Sequence, residues 1–368
     1  MLSVFSGAMG LDVGLVNAGF QSHLAADLMS ASVETIRRNI PGLPVVDQDL
    51  SSVSGSELVL RAGLEAGEVD LLAGGPPCQS FSTAGRRRGR DDARTSLVFE
   101  FVRLVEEIRP RAFLMENVKG LLSASLEWRQ LPYNNNGVVI DEHHGSLFRK
   151  LWSEFEAIGY TIDARELNAA EYGVPQLRKR VFVMGYRDGQ VPNWPQPSHS
   201  SAGGLFSQQY ATVRDAIGDL HEIEPVFKQF SPRKLAYLQM IPQGGNWRDL
   251  PVRLQQESMG KAFAAKGGRT GYWRRLSFDN PSPTILTEPN NASTSLCHPE
   301  LDRPLSVREC ARIQTFPDSW EFYGSVAEQY RLIGNAVPPL LAMRVGEVIA
   351  ATLKEKVVGR SPAKITIG

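Results

Sequence analysis

Two periods of hydrophobic and polar positions alternate along the amino-terminal half of the chain. Short, nearly continuous apolar runs over 2–5, 23–26, 43–46, 69–73 and 112–115 are bounded by glycine, proline or acidic residues, which reads as buried strands. Leu11, Val13, Leu15 and Val16, and later Leu97, Phe101, Leu104, Val105 and Ile108, recur instead at helical spacing. A helix over 146–158 and strands over 161–167 and 181–185 complete the pattern. Strands alternating with amphipathic helices predict an α/β protein with a doubly wound, mostly parallel sheet. An apolar helix over 337–353, entered through Pro338-Pro339, has the spacing to pack back on the first sheet. The large domain is therefore expected to be discontinuous, residues 1–186 and 305–368, with a second, smaller domain at 187–304.

In such sheets ligands bind outside the carboxyl ends of the strands, and the residues found there carry chemistry. After the first strand comes Ser6-Gly7-Ala8-Met9-Gly10, a glycine turn that opens a helix, as nucleotide-type βα units do. Asp27 closes the second strand, a position suited to accepting from ribose hydroxyls, and Asp49 follows the third, placed to accept from an adenine amino group. Each acid alone would more commonly be a helix cap. The 69–73 strand runs into Gly74-Gly75-Pro76-Pro77-Cys78-Gln79-Ser80. Two prolines stiffen that exit and present a thiol on a rigid loop. A lone Pro-Cys is more often a turn with an incidental core cysteine. Here a carboxylate, Glu116, closes the adjacent strand, and Arg178 and Arg180 alternate in an extended segment, pointing to one side and so to the same pocket.

Composition narrows the function classes. The 368 residues hold 40 Lys and Arg against 40 Asp and Glu, so any polyanion partner must be met by a local patch. Three cysteines (Cys78, Cys297, Cys310) without a Cys-x-x-Cys pair argue against a disulfide framework and a structural zinc site. His143-His144 has no third ligand in sight, and no metal is expected. No apolar run suggests a bilayer span, and a cytoplasmic protein without membrane partners is the expectation. Local basic patches do exist. Arg86-Arg87-Arg88-Gly89-Arg90, after Cys78, reads as a phosphate-seeking lid. Residues 228–275 carry ten basic side chains and two acidic ones, interleaved with glycines and with Trp247, Tyr272 and Trp273. The stretch before them, Pro192 to Gly204, looks like a linker.

Taken in order, Phe5-Ser6-Gly7-Ala8-Met9-Gly10, Pro77-Cys78-Gln79, Glu116-Asn117-Val118, Gln176-Leu177-Arg178-Lys179-Arg180, Arg303-Pro304-Leu305-Ser306-Val307-Arg308-Glu309 and Gly334-Asn335-Ala336-Val337-Pro338-Pro339 resemble the C5-cytosine DNA methyltransferases. The resemblance covers nearly the whole chain except about residues 190–270. It departs at Met9, where the family's turn usually has a second glycine, and at Met29, where an aspartate often follows the ribose acid.

The resemblance implies a Rossmann-like class I methyltransferase domain and a target-recognition domain. It also implies S-adenosylmethionine as cofactor, held by Phe5, Gly7, Gly10, Asp27, Leu28, Asp49, Leu50, Pro77, Asn335 and Val337. Cys78 would attack C6 of a flipped-out cytosine, with Glu116 on the base's N3 and N4 edge and Arg178 raising the thiolate fraction. Double-stranded DNA would be held by Ser80, Arg86, Arg88 and Arg180, and by Arg248, Arg253, Lys261, Lys266 and Arg269 of the basic stretch. A monomer at the nucleoid is expected, with a cognate restriction endonuclease as candidate partner. A tRNA-methylating branch of the same family shares fold and nucleophile. A catalytically silent DNA-binding regulator would lack Cys78 or Glu116. A nicotinamide dehydrogenase would explain the glycine turn but not Pro-Cys-Gln with Glu-Asn-Val.

Overall fold

Most strands of the seven-stranded sheet are apolar toward both faces, the pattern of a sheet covered by helices on either side, while the edge strand over 161–168 is largely polar. The computed structural model describes residues 1–77, 93–124, 145–264, 271–291, 293 and 295–358, without the side chains of 93–96 and 355–358. The strands are β1 (Leu2–Val4), β2 (Leu24–Ala26), β3 (Val45–Val46), β4 (Leu71–Gly74), β5 (Ala112–Asn117) and β6 (Thr161–Asn168). A two-residue β7 (Gln176–Leu177) then precedes β8 (Lys179–Tyr186). Their order is β3-β2-β1-β4-β5-β8-β6, with β7 outside this sheet. The pairs from β3 to β5 are parallel, and β8 runs antiparallel between β5 and β6. The expected mostly parallel, doubly wound sheet is the one observed.

Side-chain alternation divides the core into two layers. Leu72, Phe113 and Met115 point to the face covered by α3 (Gly55–Arg61), α4 (Ala93–Ile108) and α6 (Ser146–Ala157). Leu71, Ala73, Ala112 and Leu114 point to the other, covered by α1 (Gly10–Asn17) and α12 (Pro339–Val358). On the first face Phe113 stacks on Phe155 with centroids 4.2 Å apart, and Gly185 leaves room for its ring. On the second, α1 and α12 approach closely. A Cβ on Gly14 would lie 2.2 Å from the Pro339 carbonyl oxygen, and one on Gly346 2.8 Å from Ala18 Cβ. The segment Val326–Lys354 is apolar enough to cross a membrane by composition, yet it comprises two helices and buries Leu341, Val345 and Ile349 in this layer.

The remaining helices complete the shell: α2 (Ser30–Asn39), α5 (Gly120–Ser123), α7 (Val213–Ile217), α8 (Pro232–Leu238), α9 (Val252–Met259), α10 (Val307–Ile313) and α11 (Val326–Asn335). A separate apolar cluster of Phe230, Tyr237, Leu238, Ile241, Trp247, Leu250, Met259, Trp273 and Cys297 forms the core of the basic region. The expected linker is not loose. Trp194 is buried, its Nε1–H donating to Asp163 Oδ2 (2.7 Å), and two short strands, β9 (His199–Ser200) and β10 (Gln208–Gln209), follow it. Val213 and Ile217 pack with the apolar residues of α10 and α11, so this part of 187–304 lies against the large core. The chain returns through β11 (Ser282–Pro283), which pairs parallel with β7.

Asp12, in the first turn of α1, is buried, and no hydrogen bond satisfies either carboxylate oxygen. Burial raises its pKa from 3.8 to about 6, an effect the nearby Ser3 hydroxyl only partly offsets. Because the folded pKa lies above the unfolded one, the associated stability is complete below about pH 4 and lost as pH rises through 6. Asp12→Asn should therefore be more stable than the parent at pH 8 by up to about 3 kcal/mol, and equal to it at pH 4. Denaturant titrations at both pH values measure this; a difference independent of pH would contradict it.

Candidate active site

Because β1 to β5 run parallel, the residues following each strand gather along one edge. Phe5 and Gly7, Asp27, Asp49, Gly75 to Pro77, and Glu116 all belong to that edge. Glu116 is the charged centre. It is buried, and its Oε1 lies 2.8 Å from Arg180 Nε, with no well-aligned hydrogen bond to satisfy it. Burial raises the Glu116 pKa, and Arg180, then Arg178, pull it back only in part. Such a carboxyl is poised to exchange a proton with a ligand. A Cβ on Gly75 would lie 3.1 Å from Glu116 Oε2, so a glycine lets the β4 exit pass against the carboxyl. The Asn117 Nδ2–H donates to the Pro76 carbonyl (3.2 Å) and pins the same loop. Description ends at the exposed Pro77; Cys78, Ser80, Arg86 and Arg88 lie outside the described residues.

The two arginines of the extended segment have different jobs. Arg180 is the partner of Glu116, so the side chain expected on DNA is held at the carboxylate. Arg178, expected as a catalytic group acting on the thiol, is fully buried and occupied elsewhere. Its Nη1 donates to the Ile285 carbonyl (3.0 Å), and its Nη2 to those of Gly334 (2.8 Å) and Ala336 (2.9 Å). Beside it, Gln176 accepts from the Ile285 N–H (2.7 Å) and donates to Gln314 Oε1 (2.9 Å), and Gln314 donates to the Ile333 carbonyl (2.6 Å). Arg178 is thus a structural tie between β7–β8, the β11 return and the turn after α11. Gln314 escaped sequence reasoning because it lies 138 residues from its partner, with no local signal.

The first turn has open space where a ligand would approach. Phe5, Gly7 and Met9 all have positive φ (53°, 53° and 61°), and a Cβ on Gly7 would meet nothing within 4 Å. Asp27 accepts from the backbone N–H of Gly7 (2.8 Å) and of Met29 (2.9 Å), which ties this turn to the end of β2. Met29 itself packs partly into the core, a structural position. Leu28 is 69% exposed beside it, an apolar side chain left in solvent at the strand edge. Asp49 is exposed and caps a short 3-10 turn by accepting from the Ser51 N–H, the common use of such an acid.

Two residues expected on the cofactor are committed to packing instead. Leu50 is buried in the core, with its carbonyl accepting from Arg103. Gly10 faces the Val337 carbonyl, 2.2 Å from where a Cβ would stand. That contact is what brings the buried Val337, and the exposed Asn335 before it, beside the first turn.

In the basic region Arg248, Arg253 and Lys261 are exposed, and Arg248 lies over the Trp247 ring at 4.8 Å. Lys266 and Arg269 lie outside the described residues. Cys297 and Cys310 are both buried; burial pushes the Cys297 thiol up to about 11 and that of Cys310 well above its ordinary value. Neither can supply a thiolate at neutral pH.

A parallel sheet with one reversed strand beside β5, and a ligand edge built on a glycine turn and strand-terminal acids, defines a class I methyltransferase. Residues 1–351 match the model of the C-5 cytosine-specific DNA methylase family. The chain belongs to that family and is a DNA cytosine-5-methyltransferase. It is similar to the type II methyltransferase M.PspPI of Psychrobacter sp. (strain TA137), 40% identical over 363 residues, 96% of this chain and 79% of that protein. It is also similar to the type II methyltransferase M.Eco47II of Escherichia coli, 39% identical over 358 residues with the same coverage. A solved structure described as a prophage-encoded DNA modification methyltransferase (E. coli) shares the fold. Its TM-score is 0.65 at 24% identity, over 96% of this chain and 99% of that one.

Replacing the two arginines should separate structure from turnover. Arg178→Met takes the arginine donors from the Ile285 and Gly334 carbonyls and leaves the Ala336 carbonyl only a long one from Gln314 (3.4 Å), and should destabilise the protein by about 3–5 kcal/mol. Arg180→Met removes the cation beside a carboxyl that burial already inclines toward its neutral form, so it should lower the melting temperature by only a few degrees while abolishing turnover. Thermal melting alongside methyl transfer distinguishes them; equal melting temperatures for the two variants would contradict this assignment.

Proposed function

We propose that this protein transfers the methyl group of S-adenosylmethionine to C5 of one cytosine, flipped out of a specific duplex DNA sequence, through a covalent bond between Cys78 Sγ and C6. The observation that carries the reading is the Glu116 carboxyl: buried, raised in pKa and incompletely satisfied, against the loop that leads to Cys78. The open first turn supports the cofactor reading, since Gly7 leaves a cradle that a Cβ would fill and Leu28 offers an apolar face. Phe5, Gly7, Asp27, Leu28 and Asp49 would hold the adenosine portion, with Pro77, Asn335 and Val337 near it. When bound, S-adenosylmethionine supplies an electrophilic methyl group.

Cytosine C5 is a poor nucleophile, and the residues present correct this. The Cys78 thiolate adds to C6, and the displaced electron pair makes C5 enamine-like while charge builds toward N3. Protonated Glu116 meets that charge by giving its proton to N3, and Arg180 holds the carboxylate left behind. After methylation, loss of the C5 proton lets the ring expel the thiolate. Burial of Cys297 and Cys310 leaves Cys78 as the thiol suited to this role. Flipping the base costs roughly a few kcal/mol, offset by phosphate contacts from Arg86, Arg88 and the basic region.

Chemistry belongs to 1–186 and 305–368 in this reading, and recognition to 187–304. The relatives' names support a role in restriction and modification, where methylation protects the host's own sites from a cognate endonuclease. The enzyme would act as a monomer on nucleoid DNA in the cytoplasm.

Cys78→Ser keeps the side-chain volume and should bind DNA and cofactor while losing methyl transfer. A 5-fluorocytosine in the target should trap the parent protein covalently, because elimination needs a C5 proton. The same adduct forming with Cys78→Ser would falsify the assignment.

Asp27→Ala loses both ribose acceptors and the tie to the Gly7 N–H, so cofactor affinity should fall about tenfold to a hundredfold. An unchanged Kd in a binding titration would remove Asp27 from the site.

A further inference from the structure

Two adjacent arginines follow the buried Trp273, and their surroundings differ sharply. Arg275 is buried and saturated: Nε donates to the Ile241 carbonyl, Nη1 to those of His298 and Leu301, and Nη2 to the Leu238 carbonyl and Asp302 Oδ1. Arg274 is half-buried, and its guanidinium has no hydrogen-bond or ion-pair partner among the described residues. Burial lowers its pKa with nothing to offset the cost. A guanidinium partly withdrawn from water, with no internal acceptor, is free to take one from a ligand.

Arg274 lines a cleft of about 240 Å³ with Val213, Gly244, Gly245, Asn246, Ser277 and Asn280. Among the described residues no carboxylate lines it. Acids close in sequence to the lining residues are committed elsewhere: Asp215 accepts from the Thr212 N–H (2.8 Å), Asp249 from the Asn246 N–H (2.8 Å), and Asp279 pairs with Arg214 (2.8 Å). Pro283, on the cleft wall, is the β11 residue in register with Leu177, three positions before Arg180. The cleft therefore hangs from the strand pair that adjoins the active site. Arg248, Arg253 and Lys261 are exposed instead, as contacts to a phosphate backbone can be. A partly desolvated, planar fork of donors suits a rigid pair of acceptors, and in a DNA groove guanine O6 and N7 are that pair.

We propose that Arg274 determines sequence specificity, donating in paired fashion to O6 and N7 of a guanine at one position of the recognition sequence. The inference rests on the reading of this protein as a sequence-specific DNA methyltransferase. The probe is a duplex library randomised over a short window, exposed to the full-length parent, Arg274→Ala and Arg274→Met. The parent should enrich one motif, and both variants should lose its guanine preference at a single position. Their affinity for the parent's motif should be about 5- to 150-fold weaker. Both should melt at or above the parent's temperature, because no internal partner is lost.

An unchanged motif, a uniform loss over all sequences as for a phosphate contact, a lowered melting temperature, or a parent that enriches nothing would each overturn the inference. Bisulfite sequencing of the bound library with S-adenosylmethionine added separates the two readings. A parent that enriches a motif without methylating it sinks the proposed activity, while the variants' motifs still decide the role of Arg274.

Discussion

A buried guanidinium is an expensive core residue unless its donors are used, and Arg178 is where three distant parts of this chain meet. Its carbonyl acceptors come from Ile285, Gly334 and Ala336, more than 100 residues downstream. Those acceptors fix the β11 return and the turn between α11 and α12 against the link from β7 to β8. Two residues on, at the start of β8, Arg180 meets Glu116. The position of the partner of Glu116, the entry of the closing helix and the exit from the basic region thus depend on one cation. Gln176 and Gln314 complete the arrangement by satisfying amides that burial would otherwise leave unpaired.

Much of this was legible in the sequence, and the pattern of what was not is physical. Strand and helix placement follow from local periodicity, so β1 to β6, β8 and the closing helix fall within a few residues of expectation. The position of Glu116 at the strand edge was readable, because a carboxylate at the end of an apolar run is visible in the sequence, whereas its burial beside Arg180 was not. The different surroundings of the two arginines were not legible, because alternation gives a side, not a depth. Arg178 and Arg180 both lie near Glu116, but one sits beneath the turn after α11 and the other beside the carboxylate. Arg274 and Arg275 raise the same difficulty in adjacent positions. Only long-range packing says which one is consumed by carbonyls. Trp194 made the supposed linker part of the core, which a proline-rich composition conceals.

The edge of the sheet is also assembled from groups that are each slightly wrong for a resting protein. Glu116 is charged least comfortably where it is needed, and Leu28 stands in water. Gly7 leaves space unfilled, and in the basic region, away from that edge, Arg274 faces a cleft without an internal acceptor. Other polar groups are satisfied, as in the Arg303–Glu309 pair (2.7 Å) or the capping boxes that open α10 and α11. Asp12 and the Nε of Arg178 also stand buried without a hydrogen bond, so departures from local consistency are not confined to places where ligands are expected.

Met9 shows the same accounting resolved within the protein. A non-glycine residue in the left-handed region costs about 1–2 kcal/mol, which is why glycine ordinarily occupies such a turn. Here the side chain is fully buried with Ala8, Ile313 and Phe316 in the layer beneath the carboxyl-terminal helices. Burying a methionine contributes roughly 1.5–3 kcal/mol, enough to offset the strain. The backbone keeps the conformation the turn requires, with Gly7 still open above it and Gly10 still against Val337. A departure that looks from the sequence like a threat to cofactor approach is therefore directed into the core, away from the open side of the turn.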